Sequence, residues 1–190
     1  ERLSRLYPED DEIYEDDDND VILYRSGDLC VKEWSDVHVN ELSSSDILKY
    51  QHFFERIKEA NSQNLSYLPS IERFGISTKS RSLFLVSKFV EGITVDQIET
   101  TKESRLLLAA NLIEAIIHLH KLGLPIGRIC HGSVLFNLDD NSFIFNDIID
   151  INEYLDHESA YYPSHIDNPT SEQCQNYAIM RLVCEILGFD

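Results

Sequence analysis

The chain has 190 residues, 43% hydrophobic and 26% charged. That is an ordinary globular balance: it supports a real core and excludes a collagen, a coiled-coil rod or a wholly disordered polymer. Its 34 acids outnumber 16 bases for a formal charge of -18, which repels phosphate backbones and anionic lipid heads, so neither nucleic acid nor a membrane is an expected partner.

The acid is concentrated near the start. Glu9 to Asp20 carries nine acids in twelve residues, with only Ile13 and Tyr14 apolar. A block this charged buries too little apolar surface to offset the entropy of ordering, so residues 1–20 are expected to be a flexible acidic segment. Its sharper use is a docking strip for a basic protein surface, with Asp16, Asp17 and Asp18 as candidate contacts. Val21 to Arg25 and Leu29 to Trp34 then form a hairpin around Ser26-Gly27-Asp28. Ser43 to Asp46 is a helix-start cluster, and Ile47, Tyr50, Phe54 and Ile57 recur at helical spacing behind it. Asn64 to Gly75 and Ser82 to Val90 are expected as two further strands.

A long helix is expected from Ser104 to Lys121. Asn111, Glu114, His118 and Lys121 form a narrow polar stripe on it and nearly everything else is apolar, which predicts burial on most sides. Gly123 and Pro125 end it. Ser133 to Leu138 and Ser142 to Asp147 are short strands around Asp139-Asp140-Asn141, and Gln173 to Leu187 is a last helix. Cys30, Cys130, Cys174 and Cys184 are scattered, with no CxxC pair. Such usage suits an intracellular protein, cytoplasmic or nuclear. His118 and His120 point in different directions on a helix, so they and the nearby Cys130 and His131 are not expected to form a zinc site.

This order of elements resembles a degenerate protein kinase, and specific residues carry the likeness over about residues 20–190. Val31-Lys32-Glu33-Trp34 is similar to the strand bearing the phosphate-pairing lysine. Leu83 to Gly92 resembles the strand and hinge, with Ser87 at the gatekeeper position and the backbone of Lys88, Phe89 and Val90 facing an adenine. His131-Gly132-Ser133-Val134 sits where His-Arg-Asp-Leu is expected, and Phe143 to Ile149 falls on the strand leading into Asp-Phe-Gly. Gln175 to Glu185 is similar to the late helix that usually opens with Asp. The resemblance implies an α+β, two-lobed kinase-like fold. Residues 21–92 would be a small antiparallel sheet with one helix, plus hinge. Residues 93–190 would be a mainly helical, truncated second lobe, since no counterpart of the remaining helices follows.

Measured against what phosphoryl transfer needs, the likeness is incomplete. No glycine precedes Gly27, so carboxylates stand where a glycine-rich loop would approach the triphosphate; each close like-charged pair costs about 1 kcal/mol even in bulk water. The family pattern pairs Lys32 with a helix carboxylate, Glu55 or, as a poorer alternative, Glu59. Ser133 occupies the catalytic aspartate's position, and losing a general base costs about 10²- to 10⁴-fold in rate. Leu138 replaces the metal-binding asparagine. Asp147 survives as a nucleotide or metal ligand, but Ile148 and Ile149 replace the aromatic and the glycine after it, and Gln175 the bracing aspartate. His131 is expected to pack beneath the site. The reading is therefore a pseudokinase: a non-catalytic protein-interaction scaffold or allosteric module with no cofactor expected. The alternative is a nucleotide-sensing switch or an unorthodox phosphotransferase that uses ATP and Mg²⁺ through Lys32 and Asp147.

Overall fold

A computed structural model of the chain describes residues 3–16, 20–124, 127, 129–151 and 160–189. The chain divides into two compact units: residues 1–64 with 69–89, and residues 65–68 with 90–190. Leu65–Leu68 goes with the second unit.

The first unit is built on a five-stranded antiparallel sheet in the order β1-β2-β3-β5-β4. Its strands are β1 (Asp11–Asp16), β2 (Val21–Ser26), β3 (Leu29–Trp34), β4 (Ile71–Ser77) and β5 (Ser82–Lys88). Here the acidic block departs from the flexible segment expected of it, because Asp11–Asp16 is an edge strand paired with β2 from Asp11↔Arg25 to Asp16↔Val21. Pairing bonds one side of the strand's backbone while the Asp11, Glu12 and Glu15 side chains stay exposed. Gly27 takes φ +59° at the β2–β3 turn, and its N–H donates to the Asp10 carboxylate at 2.6 Å. Residues 64–70, expected as strand, are not: Asn64 has φ +49° and β4 begins at Ile71.

Alternation along β3 gives the sheet two covered faces. On one, Tyr24, Val31 and Val86 bury against Leu3 of the short helix α1 (Leu3–Leu6) and against Tyr7. On the other, Trp34 meets Phe53 of α2 (Ser44–Ser62) edge to face, centroids 5.9 Å apart. The capping box that starts α2 is reciprocal: Ser43 Oγ accepts the Asp46 N–H at 3.2 Å, and Asp46 Oδ2 accepts the Ser43 N–H at 3.1 Å. The buried face of α2 is Phe53, Ile57 and Ala60, and Ile47 is exposed. The expected face shared only Ile57 with it, because two helical registers overlap there and packing on Trp34 selects one.

In the second unit α3 spans Lys102–Lys121, with the Thr101 hydroxyl accepting the Ser104 N–H at 3.2 Å. Leu108, Leu112, Ala115, Ile116 and Leu119 are buried. The expectation of burial on most sides is corrected by Leu106, Leu107, Ile113 and Ile117, which are all exposed. The hairpin of β6 (Val134–Asn137) and β7 (Ser142–Phe145) stacks Phe136, Phe143 and Phe145 around Tyr67, whose carbonyl accepts the Phe145 N–H at 2.9 Å. The last helix, α4 (Ser171–Leu187), begins two residues earlier than expected behind a Thr170–Gln173 capping box and ends on Gly188 at φ +83°. Arg105 of α3 donates to the carbonyls of Ile186, at 2.7 Å, and Ile98, tying α3 to the end of α4. No helix among the described residues is long and apolar enough to cross a membrane.

Candidate functional site

Lys32 lies mid-strand on β3, between Leu23 and Leu85 on its neighbours, and is only 4% exposed. Its Nζ stands 5.2 Å from the centroid of the Trp34 ring. Glu55 does not meet it. The carboxylate is exposed on α2, and the inward position beside β3 belongs to Phe53. Glu59 is also exposed and pairs along its own helix with Arg56 at 2.7 Å. Next to Lys32 on the strand, burial pushes the Glu33 carboxyl above its ordinary range, opposed by a hydrogen bond from Ser82.

At the hinge-like end of β5 the backbone is already engaged. The Lys88 N–H donates to Ser70 O at 2.9 Å, and the Phe89 N–H to Asp28 O at 2.9 Å. Arg25 caps the Phe89 ring at 4.2 Å. Of the backbone that the family resemblance turns toward an adenine, the Lys88 and Phe89 N–H groups are bonded within their own unit, while Val90 belongs to the second unit and is half-buried. Ser87 is buried.

In the second unit a 3-10 turn, His131–Ser133, runs straight into β6 at Val134. Ser133 is 2% exposed. Its Oγ accepts the Cys130 N–H at 3.0 Å and lies 3.4 Å from the Cys130 Sγ, and its carbonyl accepts the Asn146 N–H at 2.8 Å. The hydroxyl thus closes a turn rather than facing a substrate. His131, expected to pack beneath the site, is exposed. Five residues after Ser133, Leu138 lies past the whole of β6, on the turn to β7. No catalytic-loop residues separate turn from strand, which explains why counting along the sequence lands on the far end of a hairpin.

Asp147 follows β7 half-buried, its N–H 3.4 Å from Ser133 O. Ile148 and Ile149 are buried after it, with Ile148 O accepting the Gly127 N–H at 2.7 Å. Asp150 is also buried and lies so close to Gly127 that an added Cβ there would stand 2.2 Å from the Asp150 Cβ. Among the described residues no three His, Cys, Asp or Glu side chains gather as a metal site. Gln175 is half-buried on the second turn of α4 rather than opening it. Of the proposed docking acids, Asp16 ends β1 opposite Val21, and Asp17 and Asp18 lie outside the described residues.

Sheet order, helix placement and the hairpin after α3 together define a protein kinase-like fold, α+β with an antiparallel sheet. Solved structures share it, among them Rad53 1-466 in complex with AMP-PNP and the Cydia pomonella granulovirus kinase PK-1. Rad53 aligns with 94% of this chain at 14% identity and TM-score 0.61. PK-1 aligns with 97% at 12% identity and TM-score 0.58. The chain spans 47% of the Rad53 structure and 74% of PK-1. No protein-family model matches the chain, and no curated protein does.

Proposed function

We propose that this chain is a pseudokinase: a kinase-like module that acts by binding another protein and does not transfer phosphate. The observation that carries the reading is Ser133. Where transfer needs a carboxylate to accept a proton, the side chain is a buried hydroxyl spent on the Cys130 N–H. Further support comes from exposed Glu55 and from the acids of β1. The partner is a protein with a basic surface, drawn by a chain of charge -18. Four cysteines outside any disulfide suit an intracellular setting.

A second reading, nucleotide sensing without transfer, rests on Lys32, which keeps a buried place on β3. One experiment separates the readings. The purified chain is incubated with γ-labelled ATP and Mg²⁺, and its thermal melt is recorded with and without the nucleotide. The scaffold predicts background transfer and an unmoved melt. A sensor at a hundred times its dissociation constant gains about 2.7 kcal/mol, or roughly 5 to 10 °C for a domain this size. Transfer that disappears in Lys32→Ala overturns both readings and makes the chain an enzyme.

A further inference from the structure

The polar stripe of α3 has a neighbour that its sequence does not reveal. Asn111, Glu114 and His118 stand at i, i+3 and i+7, along one line of the helix. They line a cleft of about 550 Å³ shared with Tyr67, Phe143 and Asp140, the last on the β6–β7 turn. Tyr67 and Phe143 present rings within 20° of parallel, centroids 6.4 Å apart. The Tyr67 hydroxyl and His118 Nδ1 are bonded at 2.6 Å, which holds both rings in place. Hydrogen bonds from Ser142, including its N–H at 3.0 Å, hold the Asp140 carboxyl below its ordinary range and so keep it ionised. Glu114 is exposed, and no lysine or arginine lines the cleft among the described residues.

A lysine or arginine side chain needs these parts together: carboxylates for its charged head, an aromatic wall for its stem or its guanidinium plane, and a concavity to hold it. We infer that this cleft, not the acidic β1 edge, is where the basic side chain of a partner protein docks. The inference rests on the protein-binding reading above and gives that reading an address. Acidic surface alone attracts cations everywhere on this chain. The cleft differs in lining one concavity with two carboxylates from separate elements, Glu114 and Asp140, together with Tyr67 and Phe143.

The test is fluorescence polarisation with a fluorescein-labelled octapeptide of alternating arginine and alanine, at fixed salt because such binding is screened. The variant Glu114→Gln with Asp140→Asn keeps shape and removes two charges. The control, Asp11→Asn with Glu12→Gln, removes the same two charges from the exposed β1 edge. The cleft variant is expected to bind about tenfold more weakly, a change of 1.4 kcal/mol, and the control less than twofold. Glu114→Lys, at an exposed helical position, is a second variant and weakens binding further. Equal losses in cleft variant and control, no loss in either, or no binding by the parent chain each overturn the cleft. Phosphate transfer in the same preparation overturns the non-catalytic reading instead and leaves the binding result standing.

Discussion

Replacing Ser133 with aspartate returns the residue type that transfer chemistry requires, and the surroundings of Ser133 predict that it fails. The side chain is 2% exposed and its oxygen fills a place 3.0 Å from the Cys130 N–H and 3.4 Å from the Cys130 Sγ. A carboxylate there gives up water for a buried place that fits a hydroxyl. Burying an ion without a full set of partners costs several kcal/mol; taking about 3 kcal/mol, the melting temperature falls by roughly 6 to 12 °C for a chain of this length. Ser133→Asn adds the same bulk without the charge, so the difference between the two variants isolates the electrostatic part. Differential scanning calorimetry at neutral pH reads the melts, and incubation with γ-labelled ATP reads transfer. Ser133→Asp is expected to melt well below Ser133→Asn and to stay at background transfer. An undiminished melt, or transfer gained with the aspartate, refutes the assignment of this position as a closed turn.

Phe53→Ala removes the ring that joins α2 to Trp34 and is expected to lose about 3 to 5 kcal/mol, measured by urea denaturation; a loss below 1 kcal/mol contradicts the packing described. Glu33 has a carboxyl raised by burial. Protonation is therefore favoured by folding, and stability contributed by the neutral form falls as pH rises from the unfolded value through the raised folded one. Glu33→Gln should accordingly raise the melting temperature at pH 7 and lose that advantage below the unfolded carboxylate range, near pH 3. A variant that is equally or less stable at pH 7 reverses the sign. Gly127→Ala sets a methyl 2.2 Å from the Asp150 Cβ, so about 1 to 3 kcal/mol of overpacking is expected, with local gains in amide exchange around Ile148 as the marker.

Most of the fold was legible because its punctuation is chemical. Gly27 marks a turn that needs positive φ, and Ser43 sits three residues before the Asp46 that completes its cap. What was illegible follows from degeneracy or from length. The acids of β1 read as a repelling coil, since composition cannot show that an edge strand bonds its backbone on one side and leaves its charges wet. On α2, Ile57 belongs to two overlapping apolar spacings, and Glu55 was expected to face Lys32 from the family pattern alone, whereas the inward place belongs to Phe53. The exposed leucines of α3 look like core in sequence because hydrophobicity does not say which side is covered. At Ser133 the residue types were readable, but the missing stretch before β6 was not, because a shortened loop and a substituted one give the same short run of letters.

The acidic β1 edge also bears on how copies of this chain treat one another. An edge strand offers a row of unpaired backbone groups, a template on which another sheet can extend. Asp11, Glu12 and Glu15 decorate this template with charge on the strand that closes one side of the sheet. A second copy approaching edge to edge brings the same charges, so homotypic growth meets repulsion before any hydrogen bond forms, while an oppositely charged strand meets none. Charge on such an edge therefore works against pairing between copies, most at low ionic strength and less as salt shortens its reach.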